Sequence, residues 1–328
     1  MDLKDSIYSL MRKENLIPNI VDSNRKYWFI RTQGGSYFDE FFLDGFVAIG
    51  HEDVPCVAEA DRTDDLIDKI KINHPQATRI LNQVYKFCKE IKKGDVVIIP
   101  SASSASFAFG YIEDDDYFKV NISEEDIDEG KCNFSRRRKT NWVRGIPKSR
   151  VDPKLYTFFR NQQTLSCVDE YGEFIERALN PFYIKNGIAH LTLSVETHES
   201  PKADDIPLYM YGLLARANDI AEELNLNIEE RNIRSRINVQ SAGIIELLGD
   251  PVFIGVLSIL IIGLFGGKAT FRQDKEKTEA EVSTEGLIGA ILKIWDKYAQ
   301  NKSIGIDKMK ETQERLDIKD PRDTQKKE

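Results

Sequence analysis

Apolar positions recur along this chain with periods that change at turn residues. Ile7, Leu10, Met11 and Leu16 keep helical spacing until Pro18, which predicts a short N-terminal helix within residues 1–24. Lys26–Arg31 reads as a strand, Gln33-Gly34-Gly35 as a turn, Tyr37–Phe42 as a short helix and Phe46–Gly50 as a second strand. Between Ile67 and Ile91 two helical stretches share the inward residues Ile67, Ile70, Ile80, Leu81, Val84, Tyr85, Phe87 and Cys88. Val96–Ile99 is a continuous β-branched run of the kind found in central strands. A loop of only Ser and Ala, Ser101–Ser106, separates it from the partner strand Phe107–Ile112, where Gly110 marks a bulge or a close approach. Thr140–Val143 is a further strand.

Beyond residue 188 the periods start again. Ala189–Val195 alternates as a strand, Pro207–Leu224 is an amphipathic helix, and Ile233–Val239 is another strand. Some sixty residues can bury only a small core. The predicted fold class is therefore α+β: a small β-barrel with flanking helices over 25–182, a small α/β unit over 188–250, one hydrophobic helix over 251–271, and a charged tail over 272–328. In the tail, Leu287, Ile288, Ile291, Leu292, Trp295 and Tyr298 share one helical face, and the chain beyond Ile306 is expected to be disordered.

A length of 328 residues agrees with more than one domain. The mean hydropathy of −0.42 excludes a polytopic membrane protein but would average out a single span. Val252–Gly267 has no charge, and continuing past Lys268 to Phe271 it reaches the twenty or so residues needed for about 30 Å of hydrocarbon. A run that is apolar all round predicts a transmembrane helix, with a buried core helix or an oligomer interface as the alternative. The expected location is the inner membrane with the N-terminal domain cytoplasmic, the alternative a cytoplasmic chain. A homo-oligomer is the expected assembly.

The net charge of −8 argues against a generally basic nucleic-acid binder and leaves room for a local basic face. The charge is patterned. Nine acids lie between Glu113 and Glu129, and Arg136-Arg137-Arg138-Lys139 follows, extended by Arg144, Lys148 and Arg150. Four scattered cysteines without a C-x-x-C pair fit a reducing compartment. The four histidines stand apart in sequence, and no G-x-S-x-G, P-loop or H-E-x-x-H motif occurs. No catalytic residue, metal site or cofactor is expected, and the chain reads as a non-enzyme.

A set of short motifs in order carries a resemblance. Tyr27-Trp28-Phe29-Ile30-Arg31, Gly34-Gly35, Phe38-Asp39-Glu40-Phe41, Val47-Ala48-Ile49-Gly50, then Lys93-Gly94-Asp95 with an apolar strand, and the basic block ending in Trp142-Val143 resemble the N-terminal module of some Mrr-type restriction endonucleases. That module is similar to the PUA-like group, which includes the EVE and YTH domains. The resemblance implies a small barrel whose aromatic pocket takes a nucleic-acid base, modified bases included. It makes Trp28 and Trp142 candidate stacking walls and Arg31, Arg136, Arg137 and Arg138 candidate phosphate contacts. The nuclease core of those enzymes is absent. Residues 237–247, before the hydrophobic run and tail, resemble a C-terminal element of uncharacterised bacterial proteins in conflict systems. The expected function is a membrane-anchored nucleic-acid sensor or effector in bacterial antiviral defence. The alternative is a soluble or peripheral oligomeric scaffold whose pocket binds a small ligand or peptide.

Overall fold

A computed structural model describes residues 3–197, 201–226, 232–239, 243–266, 289, 293 and 306–322. In chain order the elements are α1 (Leu3–Lys13), β1 (Asn19–Val21), β2 (Tyr27–Ile30), α2 (Phe38–Leu43), β3 (Phe46–Ile49), α3 (Asp64–Lys71), α4 (Ala77–Tyr85), β4 (Val96–Pro100), β5 (Ser106–Ile112), β6 (Phe118–Lys119), α5 (Glu124–Asp128), β7 (Arg136–Pro147), α6 (Tyr156–Phe159) and β8 (Leu165–Cys167). There follow α7 (Gly172–Leu179), β9 (Phe182–Lys185), β10 (Ile188–Val195), α8 (Asp205–Glu223), β11 (Arg234–Val239), β12 (Gly243–Gly249), α9 (Pro251–Gly266) and α10 (Ile306–Arg315). The class is α+β. The chain forms two compact units, residues 24–179 and residues 1–23 together with 180–327.

The unit of residues 24–179 is built on one curled sheet in the order β3-β7-β5-β4-β2-β8, with β6 on the side of β7. The curl arises in β7, a twelve-residue strand that changes partner: Arg136–Lys139 pair with β3, and Thr140–Pro147 pair with β5. A bulge between Phe109 and Gly110 bends the sheet there. Strands β2 and β4 run parallel, and their successive residues enter different cores. Trp28, Ile30, Val97 and Ile99 face α4 residues Leu81 and Val84. Tyr27, Phe29, Val96 and Ile98 face Phe158 and Phe159 of α6 and Ile175 of α7. Cover on both faces is why these strands are apolar without alternation.

In the other unit a five-stranded sheet, β1-β9-β10-β12-β11, packs one face on helices. Helix α9 is the centre of that core. Phe253, Ile254, Val256, Leu257, Ile259, Ile261 and Ile262 are all fully buried, and α9 packs against α1, α8, α10, β10 and β12. At Gly255 an added Cβ would lie 2.6 Å from Ile7 Cγ2, so the glycine sets how closely α1 approaches. Of the run 251–271, expected to be a transmembrane helix, Pro251–Gly266 is described and is helical over those 16 residues. Among the described residues no helix is long and apolar enough to cross a membrane. Ala269–Phe271 and most of the Leu287–Tyr298 stretch lie outside the described residues.

Two other expectations change. The N-terminal lead belongs to the second unit: β1 extends its sheet in parallel with β9, and Ile7, Leu10 and Met11 join its core. The small core expected for sixty residues is enlarged by these elements. The chain beyond Ile306 is ordered over α10, whose Met309, Thr312 and Gln313 are buried. Tyr209 donates its hydroxyl to Gln313 Oε1 at 2.8 Å, and Ile318 bridges Val195. The low apolar content of this stretch concealed it: half of its buried face is polar and hydrogen-bonded.

Candidate functional site

The predicted site residues separate into three environments. Trp28 lies wholly inside the sheet-on-α4 core, and its indole N–H donates to Asp95 Oδ2 at 2.9 Å. Asp95 also accepts the backbone N–H groups of Lys26 (3.1 Å) and Lys92 (2.9 Å). This tryptophan is a core residue that ties the turn before β4 to β2, and it presents no face to a ligand. Arg31 is spent on the chain as well: Nε and Nη2 donate to Asn161 O at 2.9 and 2.6 Å, and Nη2 also reaches Phe159 O at 3.0 Å. Burial lowers its pKa from the ordinary guanidinium value.

The arginine run of β7 alternates with the pleat. Arg136 and Arg138 point inward and are almost fully buried. Arg136 donates to the carbonyls of His51 (2.9 Å), Glu52 (3.2 Å) and Val54 (2.6 Å). Arg138 donates to Phe87 O at 2.6 Å and Cys88 O at 3.0 Å, closing the turn that follows α4, and to the carbonyls of Asp114 and Asp115 at 3.2 Å each. A guanidinium with its donors on buried carbonyls cannot also hold a phosphate on the surface. The phosphate role expected for Arg136 and Arg138 is therefore replaced by a structural one.

Arg137 faces the other way. Its guanidinium lies 4.1 Å from the Phe46 ring centroid, with Nη2 3.0 Å from Cys132 O and 3.7 Å from Glu40 Oε1. It borders an open cleft of ≈ 670 Å³ lined by Phe42, Asp44, Gly45, Phe46, Glu113, Phe118, Arg137, Lys139, Thr140, Asn141 and Trp142. Trp142 is half-buried there. Its indole N–H donates to Phe41 O at 2.6 Å, which fixes the ring, and the Phe42 ring sits 6.0 Å away at 37°. Gly110 explains the position of that indole: a Cβ at 110 would come within 2.7 Å of Trp142 Cε3. The close approach expected at Gly110 and the bulge beside it are both present.

Of the six expected residues, Trp142 and Arg137 meet in this cleft and the other four do not. Phe42, Phe118, Lys139 and Asn141 were not singled out from sequence. Phe118 carried a signal, as half of the one aromatic pair inside the acidic stretch, and β6 seats it opposite Arg137. Two of the histidines, apart in sequence, come together. The His51 and His74 rings are 5.1 Å apart, and His74 Nε2 lies 2.9 Å from Asp53 Oδ2. His190 Nδ1 lies 3.0 Å from the buried Glu246. Among the described residues no group of three His, Cys, Asp or Glu side chains could hold a metal ion.

Residues 27–167 match the family model of a domain of unknown function, DUF8426. The DUF8426 segment contains the whole cleft and every strand of the curled sheet, from β2 to β8. No curated protein and no solved structure matches the chain.

Proposed function

We propose that the cleft of the DUF8426 segment binds a planar heteroaromatic group, the base of a nucleic-acid strand. The observation that carries this reading is the convergence of Trp142, Phe42 and Phe118 with Arg137, Lys139 and Asn141 around one open cleft. An aromatic wall stacks on any base, for about 1–3 kcal/mol. Two cations (Arg137, Lys139) face two carboxylates (Asp44, Glu113), so the cleft has no excess of positive charge with which to prefer a phosphate. The carboxylates and the Asn141 amide instead suit the amino and carbonyl edges of a base. A base reaches such a cleft from a single strand, or from a duplex at a flipping cost of a few kcal/mol that is smaller for a damaged or modified base. The implied PUA-like character agrees with a curled sheet flanked by helices. This reading rests on residues 24–179 and does not depend on a membrane anchor at 251–271.

Full-length protein titrated into fluorescein-labelled single-stranded RNA and DNA, with and without base modifications, tests the reading by anisotropy. Trp142→Ala should weaken the preferred oligonucleotide by roughly 5- to 150-fold, the equivalent of the stacking energy. Absence of binding to every oligonucleotide at low salt, or affinities unchanged in the variant, would overturn it.

A further inference from the structure

If the cleft reads a base, the phosphates need a surface of their own, and the predicted arginines do not provide it. We infer that the phosphate backbone of a nucleic-acid strand binds at the far end of β7, on the segment from Lys148 to Arg160 and the neighbouring Ser101–Ser106 loop. This rests on the nucleic-acid reading above but on different residues.

Charge is segregated along β7. The acidic stretch lies at the strand's beginning: Phe118 and Lys119 pair with Arg137 and Arg136, and Glu113 N–H donates to Lys139 O. Pro147, the last residue of β7, is eleven residues on from Arg136, roughly 36 Å at strand rise. The chain just beyond Pro147 carries Lys148, Arg150, Lys154 and Arg160, all exposed, with one carboxylate, Asp152, among them. That carboxylate is already paired with Arg177. The next acids, Asp169, Glu170 and Glu173, come only after β8. A local excess of four cations thus stands on a chain whose net charge is −8, away from its densest acidic stretch.

The segment is held as a surface. Lys148 N–H donates to Ala105 O at 2.9 Å, tying it to the Ser/Ala loop. The Lys148 ammonium lies 5.5 Å from the Tyr156 ring, whose hydroxyl returns to Lys148 O at 2.8 Å. Phe159 stacks on Phe107 and fixes α6 beneath. The Ser101–Ser106 loop ends the strand that runs parallel to β2, and it meets the loop that ends β2. Gly35 adopts φ +104, where a Cβ would fall 2.3 Å from the Ala102 backbone. Gln33, Ser103 and Ser104 are non-glycine residues with φ between +53 and +54. Such residues cost of order 1–3 kcal/mol each and persist where the surroundings enforce them. The loop is thus held tightly against the turn after β2, and its Ser and Ala side chains add little bulk to that surface.

A nucleic-acid strand is favoured over an anionic membrane by what the patch lacks. Among the described residues, no exposed large hydrophobic side chain lies between 101 and 110 or between 145 and 163, so nothing there would enter a bilayer.

The test uses the full chain with Lys148→Gln, Arg150→Gln, Lys154→Gln and Arg160→Gln combined, beside a control with the exposed Lys69→Gln and Lys71→Gln. Each phosphate contact on a single strand contributes about 0.7 to the slope of log Kd against log salt, so four contribute about 2.8. The combined variant should lose most of that slope and bind a 20-nucleotide strand at least tenfold more weakly at low salt. The control should match the wild type. Trp142→Ala should weaken binding at every salt concentration and leave the slope intact, so a failed cleft and a failed phosphate surface give different results. An unchanged slope in the combined variant would overturn the inference. So would binding to phosphatidylserine vesicles, but to no oligonucleotide, through the same four residues.

Discussion

Helix α9 and strand β7 make a contrast: the helix carries no charge and is buried almost throughout, while the strand opens on four consecutive cations of which two are buried. The helix is apolar on every side and needs cover on every side. Lipid would supply that, and so do α1, α8, α10 and two strands of its own unit. The strand has an inward and an outward set two residues apart, and its cations divide accordingly. Arg136 and Arg138 go to carbonyls from the buried side of the strand, while Arg137, which donates to Phe134 O and Cys132 O, and Lys139 border the cleft. Composition alone therefore does not say what covers either stretch: an uncharged run can be covered by protein, and arginines within a charged run can be buried, provided every donor finds an acceptor.

The largest test of the comparison is a carboxylate in α9. Ile259→Asp should cost more than about 4 kcal/mol, because nothing near a fully buried isoleucine can pair with the new charge. Urea denaturation would show a chain largely unfolded in water. A cooperative transition near the wild-type midpoint would mean that α9 is not the core. Next is the contrast inside β7. Arg138→Met should cost about 3–5 kcal/mol by stranding the carbonyls of Phe87 and Cys88, whereas Arg137→Met should cost about 1–2 kcal/mol and mainly weaken ligand binding. Equal costs at the two positions would erase the distinction between inward and outward arginines.

Gly255→Val probes how closely α9 is covered. It should destabilise by about 1–3 kcal/mol, because a side chain there meets Ile7 and Met11. A neutral result would show that α1 can move away. The smallest effect concerns pH. Burial, then the neighbouring His74, holds His51 below the ordinary imidazole value of 6.5, with Arg136 adding to the shift and Asp53 and Glu52 opposing it. The folded chain prefers neutral His51, so its contribution is present above about pH 6.5 and is lost as pH falls through the lower folded value. His51→Asn, which also suits the left-handed φ of 66° at this position, should flatten the loss of stability between about pH 7 and pH 5. Chemical denaturation at several pH values would measure it, and an unchanged pH profile would remove His51 as a contributor.

Much of the curled sheet was legible from local pattern. The strands at 27–30, 46–49 and 96–100, the helical face from Ile67 to Cys88 and the dual meaning of Gly110 all follow from period and turn chemistry. The candidate site was only half legible. Trp142 and Trp28 occupy comparable motif positions, yet one lines a cleft and the other is sealed behind Asp95. Phe118 and Lys139 reach the cleft through pairing of β6 with β7 and of β7 with β3, which are contacts far apart in sequence.

By itself the amino-acid sequence determined many of the helices and strands and which of their faces avoid water, because those are set by side-chain period and by glycine and proline; it did not show α10 or the strands β1, β9 and β12. It also determined that one run must be shielded from water all round. The tertiary structure decided what does the shielding, which of three consecutive arginines meets solvent, and that the first 23 residues complete a core begun at residue 180. Those outcomes depend on which surfaces meet, and local period carries no information about a partner more than a hundred residues away.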